Sequence, residues 1–347
     1  MLSLRLLRYV FYTLTILPLL CPAYGDEDVH PEEHAHHAHG STGHEDYSPL
    51  GVMGNHVHQA GEAMFSYRYG IMEMNGNLDG STSVSTEDIL DADFMMAPTS
   101  MRMEMHMLGA MYAASDSITL MAMLPLKRIE MSSRNSVMTR KAKTSGAGDL
   151  KLAGILPLWA ATDQSRTLKL NAGLSIPTGS IKEGGTMRYA YPMQLGSGTF
   201  DLLPGLTYLE EKDSWSWGAQ ATSVIRLGEN GEGYSLGNRF RATTWYSSKL
   251  SDTLSASARI EGTTWGNIDG QDDELTPEPG ENWMSPNARA DLRGGERVDI
   301  LFGLNIFLDT DRWNEWDRLF IDKDSGKLYQ AKPKENSMDK ETRLAIE

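Results

Sequence analysis

The chain has 347 residues, with 32 lysines and arginines against 47 aspartates and glutamates, a formal net charge of −15. That balance argues against a nucleic-acid partner, which needs a basic face. One cysteine rules out an intrachain disulfide framework and a multi-thiolate metal site, and no apolar run reaches the roughly 18–20 residues of a spanning helix, so membrane insertion requires a barrel.

Residues 1–25 read as a signal peptide. Arg5 and Arg8 precede an apolar core at 10–20, and Ala23-Tyr24-Gly25 is a small-x-small cleavage site. Cys21 follows Leu20 rather than the small residue a lipoprotein signal wants. Cleavage near Gly25 leaves a mature chain without cysteine. Residues 26–59 are polar and hold His30, His34, His36, His37, His39, His44, His56 and His58. With almost nothing apolar to bury, this segment is expected to be disordered.

From residue 60 the pattern changes. Strands are expected at 63–74, 101–113, 117–129, 148–160, 167–178, 199–209, 214–227, 233–246, 253–265 and 297–308. In the second, Met101, Met103, Met105, Met107 and Met111 alternate with Arg102, Glu104 and His106. That period of two belongs to a strand, not a helix. In the fifth, Leu168, Leu170, Ala172, Leu174 and Ile176 oppose Lys169, Asn171, Gly173 and Ser175. The lengths suit a tilted membrane strand of about 9–11 residues. Short connections alternate with long polar ones at 75–100, 130–147, 179–198 and 266–296; only GENGE, 228–232, breaks the parity. Tight turns on one side and long loops on the other are the signature of an outer-membrane barrel. Trp215, Trp217, Trp245, Tyr246 and Trp265 lie near strand ends, as interfacial girdle residues do.

The segments LGVMGNHVHQAGEAMFSYRY (50–69), APTSMRMEMHMLGAMY (97–112), SITLMAMLPL (117–126), GAGDLKLAG (146–154), LNAGLSIPTGSI (170–181), YPMQLGSGTFDLLPGLTY (191–208) and NARADLRGGERVDILFGLN (287–305) carry a resemblance. As a set they resemble the outer-membrane transporter-like proteins grouped with the meta-pathway of phenol degradation, in their His- and Met-rich branch. The resemblance covers about residues 49–308. It implies an all-β, antiparallel transmembrane β-barrel of about twelve strands, of which ten or eleven are present here in a C-terminally truncated chain. Residues 60–308 are then the barrel. Residues 309–347 are a charged insertion and the start of a further strand. Location in the outer membrane of a Gram-negative bacterium and a transport role follow from the same resemblance.

Two chemistries are open. A charge facing lipid at midplane costs about 2–4 kcal/mol, so charged strand residues are expected to face the lumen. That reasoning nominates Arg68, Arg102, Glu104, His106, Lys151 and Lys169 as lumen lining, and sends the methionines of 101–111 into lipid. Phe65, Tyr67, Tyr69 and Ile71 are expected to face lipid, turning Met64, Arg68, Met72 and Met74 inward. The second chemistry is metal. All nine histidines precede residue 107, and sixteen of the twenty methionines precede residue 139. Imidazole suits Cu(II) and thioether Cu(I), so His34, His36, His37, His39, His44, His56, His58, Met53 and Met64 are candidate copper ligands. No cofactor is required.

The chain carries no GxSxG or HExxH, and its loop glycines lack the helix a phosphate cradle needs, so an enzyme is not expected. The acidic run in 266–281 does not have EF-hand spacing. The preferred reading is a barrel transporter or channel for a small solute, with the lipid bilayer as its other partner. The rivals are an accessory that binds copper or another divalent metal through the His-rich segment, and a structural or surface-interaction barrel.

Overall fold

The computed structural model describes residues 49, 51–54, 57–58, 60–251 and 254–306, with the backbone of short strands at 12–16, 319–321, 328–330 and 344–345. In chain order the elements are β1 (Tyr12–Ile16), β2 (Ala63–Asn75), β3 (Asn77–Asp79), β4 (Thr82–Val84), α1 (Thr86–Asp91), β5 (Ala97–Ser115), β6 (Ile118–Arg134), β7 (Thr139–Ala147), β8 (Leu150–Ala160), β9 (Arg166–Ile176), β10 (Phe200–Lys212), β11 (Trp215–Leu227), β12 (Tyr234–Ser235), β13 (Arg239–Ser251), β14 (Leu254–Trp265), β15 (Asp269–Gly270), β16 (Gly295–Ile306), β17 (Leu319–Ile321), β18 (Leu328–Gln330) and β19 (Leu344–Ala345).

One antiparallel sheet dominates, in the order β1-β2-β5-β6-β8-β9-β10-β11-β13-β14-β16, with β7 also paired to β6. It curls into part of a barrel. The ten expected strands all form, as β2, β5, β6, β8, β9, β10, β11, β13, β14 and β16. No helix among the described residues is long and apolar enough to cross a membrane. β1 falls within the segment read as a signal peptide. Its apolar YTLTI backbone pairs with the otherwise free edge of β2, where a row of unpaired N–H and C=O groups would pair with any β-prone segment. β17, β18 and β19, in the region expected as a charged insertion, form a separate small sheet.

Sidedness comes from register and exposure. Phe65, Leu108, Tyr112, Leu120, Leu152, Leu202, Ile225, Phe240, Ile260 and Phe302 lie on one face and are exposed, Phe302 by 83%. The opposite face carries buried Lys169, Asn171, Ser175, Asp201, Thr207, Gln220, Thr243, Arg259 and Glu261. An apolar outside and a polar inside is the inverse of a water-soluble sheet. It is what a wall between lipid and a polar lumen requires.

The connections obey the expected parity more strictly than the sequence suggested. The strand expected at 233–246 begins at Arg239, because Tyr234 and Ser235 pair instead with β15. The connection after β11 therefore runs from 228 to 238 and is long. The expected loop at 130–147 is a hairpin: β6 continues to Arg134 and β7 returns beside it. The inward positions of β7 include Ala142 and Thr144 and its outward ones Lys141 and Lys143, so the burial alternates while the sequence lacks the apolar alternation that marks the other strands. The loop at 75–100 holds α1, whose N-cap Ser85 and Asp88 form a capping box.

The aromatic girdle is partly as expected. Trp215 stacks on Tyr246 with centroids 6.0 Å apart, and Trp217 packs edge-on to Tyr208 at 5.4 Å, all on the outer face at the short-turn end. Trp245 and Trp265 are corrections. The register turns both inward, opposite Gly218 and Arg239 respectively. Trp245 is 2% exposed. It fits because Gly218 has no side chain; a Cβ there would lie 2.2 Å from the Trp245 ring.

Candidate functional site

The inner face divides into two walls. The first is built by β2, β5 and β6. Their register sets Met64 opposite Met111 and Met111 opposite Met121, then Met72 opposite Met103, and Met74 opposite Met101, which faces Met131. These residues share a face with Arg68, Met105, Met107, Met123 and Lys127. Met101 and Met103 pack on Ile129, Met131, Met193 and Leu195. Residues 193 and 195 belong to a loop folded into the mouth, so this face is the inner one.

That placement overturns one expectation. Arg102, Glu104 and His106 are on the outer face, and the methionines of β5 point inward. The charge-cost argument failed because β5 has 19 residues. At about 3.4 Å per residue it spans roughly 65 Å, whereas a band about 25 Å tall crossed at about 40° needs only about 33 Å. The outward charges sit on the part that projects beyond the apolar band. There they form ladders: Arg102 binds Glu73 and Glu104, each at 2.9 Å, and Glu130 takes Arg128 and Lys143, each at 2.9 Å. Tyr67 Oη and His106 Nδ1 are 2.6 Å apart on the same outer face. The sequence held the signal that was missed: Leu108 and Tyr112 share the parity of Arg102.

Arg68, Lys151 and Lys169 lie on the inner face. Met64 does too, and Met53 lies in the inner N-terminal segment, where its backbone oxygen accepts a hydrogen bond from Gln220 Nε2 at 2.8 Å. His58 stands beside Glu62, Nδ1 to Oε2 3.5 Å. His34, His36, His37, His39, His44 and His56 lie outside the described residues. Among the described residues, no three His, Cys, Asp or Glu side chains gather as a metal site.

The second wall runs from β8 to β16. Lys169, Thr207, Gln220, Thr243, Glu261 and Asp299 make one cross-strand row. Thr207 Oγ1 receives Asn171 at 3.0 Å and Gln220 at 2.8 Å. Toward the long-loop end the wall becomes basic, with Lys151, Arg226, Arg239, Arg241 and Arg297, joined by Lys127 from the adjacent β6. Its acids are largely committed. Asp201 pairs with Arg226 and accepts Thr199 Oγ1 at 2.6 Å. Asp149 binds Gly179 N at 3.0 Å and Ser197 N at 2.8 Å, tying the 179–198 loop to the wall. Arg241 reaches Glu261 at 3.3 Å. Lys127 donates to the Leu195 carbonyl at 2.7 Å. Among the described residues, Lys151 and Arg239 have no ion pair. Sequence reading missed Arg226, Arg239, Arg241 and Arg297; the Arg-x-Arg spacing at 239–241 was the available signal.

Each end is narrowed. At the short-turn end Val52 packs on Leu209 and Trp245. At the long-loop end the loops gather around Tyr191, Tyr234, Ile268 and Leu275. Arg188, 5% exposed, pins them: it reaches Glu232 at 2.9 Å, Asp272 at 3.3 Å and Glu274 at 3.1 Å. Hydrogen bonds from Lys182 and Arg188 hold the Glu232 carboxyl below its usual 4.5. Burial raises the carboxyl of Asp272.

Glu232 therefore holds the loops together above about pH 4.5, and its contribution disappears as pH falls through its lowered value. Asp272 acts in the opposite sense, because protonation relieves its burial. Removing Arg188 leaves both acids without their shared cation, at a cost of about 3 kcal/mol. Arg188→Met is expected to raise protease cleavage of the 228–238 and 266–294 loops at pH 7, with the sheet strands still protected. The native protein is expected to reach comparable cleavage only as pH falls through the lowered value of Glu232, below its usual 4.5, and Glu232→Gln to flatten that acid rise.

No family model and no curated protein matches the chain. Among solved structures it is similar to an outer-membrane channel from Pseudomonas putida F1, at 15% identity and a TM-score of 0.55, over 74% of this chain and 85% of that one. At that identity the likeness concerns the fold. It agrees with the antiparallel barrel wall, and does not bear on a grouping with phenol degradation.

Proposed function

We propose that this protein is an outer-membrane channel that passes small anionic solutes by diffusion, with the short turns in the periplasm and the long loops outside. One observation carries the reading. A chain of net charge −15 gathers more lysine and arginine than acid on the inner face near one mouth, with Arg226 paired to Asp201 and Arg241 to Glu261 but Lys151 and Arg239 in no ion pair among the described residues. Lys127, Lys151, Arg226, Arg239 and Arg241 project there among polar side chains, while the surplus of acids lies elsewhere. Cations lining a low-dielectric passage attract anions and repel cations. The likeness to a channel in fold supports the same reading.

The test is a planar bilayer separating unequal potassium chloride solutions. The zero-current potential is expected to have the sign of chloride permeation, and the preference to shrink as salt rises and screening shortens to about 3 Å at 1 M. A cation-selective potential, or no conductance from protein that is folded by heat-modifiability, would overturn the proposal.

A further inference from the structure

The methionines of the sheet are sorted. Every one in the long strands lies in β2, β5 or β6; the strands β8, β9, β10, β11, β13, β14 and β16 contain none. Within those three strands the sorting is by face. The outer positions are filled by Phe65, Ile71, Leu108, Leu120, Leu124 and Leu126, and no methionine is among them. The cross-strand partners Met72 and Met103, and Met74, Met101 and Met131, are inner. A requirement for apolar bulk alone is met on the outer face by leucine and phenylalanine. The inner face uses the one apolar side chain that also carries a metal-ligating atom.

We infer that this inner wall is a binding site for a soft monovalent metal ion, Cu(I) or Ag(I), centred on the thioethers of Met101, Met103, Met131 and Met193. The four meet in one cluster. Met193 is fully buried and Met131 8% exposed, with Met101 and Met103 packed against them. Directly opposed Cα atoms in an antiparallel pair are about 4.5–5.5 Å apart, and three rotatable bonds let each thioether turn its sulfur toward its neighbours. The Met131 sulfur already accepts a hydrogen bond from Asn287 Nδ2 at 3.5 Å, so its lone pairs face a polar partner rather than lipid. Thioether selects Cu(I) over the harder divalent ions. Lys127, two positions from Ile129, keeps its charge but is held on the Leu195 carbonyl at 2.7 Å, and a monovalent ion meets half the repulsion from it that a divalent one would. Neither the His-rich segment nor the anion selectivity proposed for the lumen is needed for the site.

Thioethers do not titrate, whereas imidazoles lose ligand capacity below about pH 6.5. That separates the two sources of binding. The full-length protein in detergent is titrated with silver nitrate at pH 5.5, in chloride-free buffer, by calorimetry. Saturable binding is expected, little changed between pH 5.5 and pH 7.5, in a variant that lacks residues 30–44 and carries His56→Gln, His58→Gln and His106→Gln, so that no imidazole remains. Met→Leu at 101, 103, 131 and 193 keeps volume nearly constant and is expected to weaken Ag(I) at least tenfold. Met→Leu at the exposed loop positions Met95, Met138 and Met187 is expected to leave it unchanged. Should the fourfold variant lose its heat-modifiable barrel, Met101→Leu with Met103→Leu is the substitute, with a loss of at least threefold. No silver binding at pH 5.5, or equal binding by the folded inner-wall variant and native protein, overturns the inference.

Discussion

Reversing Arg239 and Arg241 to glutamate is expected to convert the channel from anion preference to cation preference. The two side chains follow one another on the inner face of β13, separated by one outward residue, and the neighbouring cations on that arc are Arg226, Arg297, Lys127 and Lys151. Each reversal changes the wall by two charges, so the pair changes it by four. A permeating ion about 8 Å from a wall charge in water feels about 0.5 kcal/mol from it, or about 2 kcal/mol for the four. That is roughly a thirtyfold change in the probability of finding an anion at the constriction. At physiological ionic strength the screening length is about 8 Å. The energy then falls to about 0.8 kcal/mol and the change to about three- to fourfold. The salt dependence is therefore as diagnostic as the sign. The measurement is the zero-current potential of the variant and native protein across a tenfold gradient, at two mean salt concentrations. Arg102→Glu with Arg128→Glu makes the same charge change on the outer face and should leave the potential where it was. If the inner pair behaves like the outer pair, the basic wall does not set selectivity.

The sequence was most legible where one face of a strand is uniform. In β9 from Thr167 to Ile176 every outward residue is apolar and every inward one polar or glycine, and the structure keeps that split. In β2 the aromatic face was read correctly for the same reason. β5 misled because it is two environments in one strand. Leu108 to Tyr112 face the apolar band, whereas Arg102 to His106 face water or headgroups above it on the same side. A rule about charge in hydrocarbon was applied to a stretch outside hydrocarbon. Register resolves the conflict. Once Met64 is paired with Met111, the outward aromatics of β2 fix the direction of every β5 side chain. The basic wall was illegible for a different reason. Outward positions of β11 and β13 include Ser223, Ala242 and Thr244, so alternation there is too weak to show that Arg226, Arg239 and Arg241 share a face. That juxtaposition arises from pairing between strands, and no single strand displays it.

The N-terminal segment at 51–54 carries the second large expectation. It was read as part of a disordered region, and its last residues instead lie along the inner face. Val52 is 3% exposed between Leu209 and Trp245. Met53 offers its carbonyl to Gln220. Two glycines let the backbone come this close. A Cβ on Gly51 would lie 2.3 Å from the Arg259 guanidinium, and one on Gly54 would lie 2.7 Å from the Asn171 amide oxygen. Gly54 also has φ of +73°, a conformation costly for a residue with a side chain. Burying the valine contributes about 2 kcal/mol and the hydrogen bond about 1 kcal/mol. Anchoring of about 3 kcal/mol leaves the segment released less than about 1% of the time. Gly54→Val adds about 1–3 kcal/mol of backbone strain, and a clash with Asn171 besides. The released fraction should then rise to about one half. Single-channel recording is expected to show rare openings to a large conductance in the native protein and frequent ones in the variant. Gly61→Val is the control, because Gly61 shares the strained backbone, with φ of +87°, yet has nothing within 4 Å of its missing Cβ. Strain without the clash at the inner wall should leave the segment seated. If both variants open alike, the effect is general destabilisation; if neither opens, the segment does not occlude the passage.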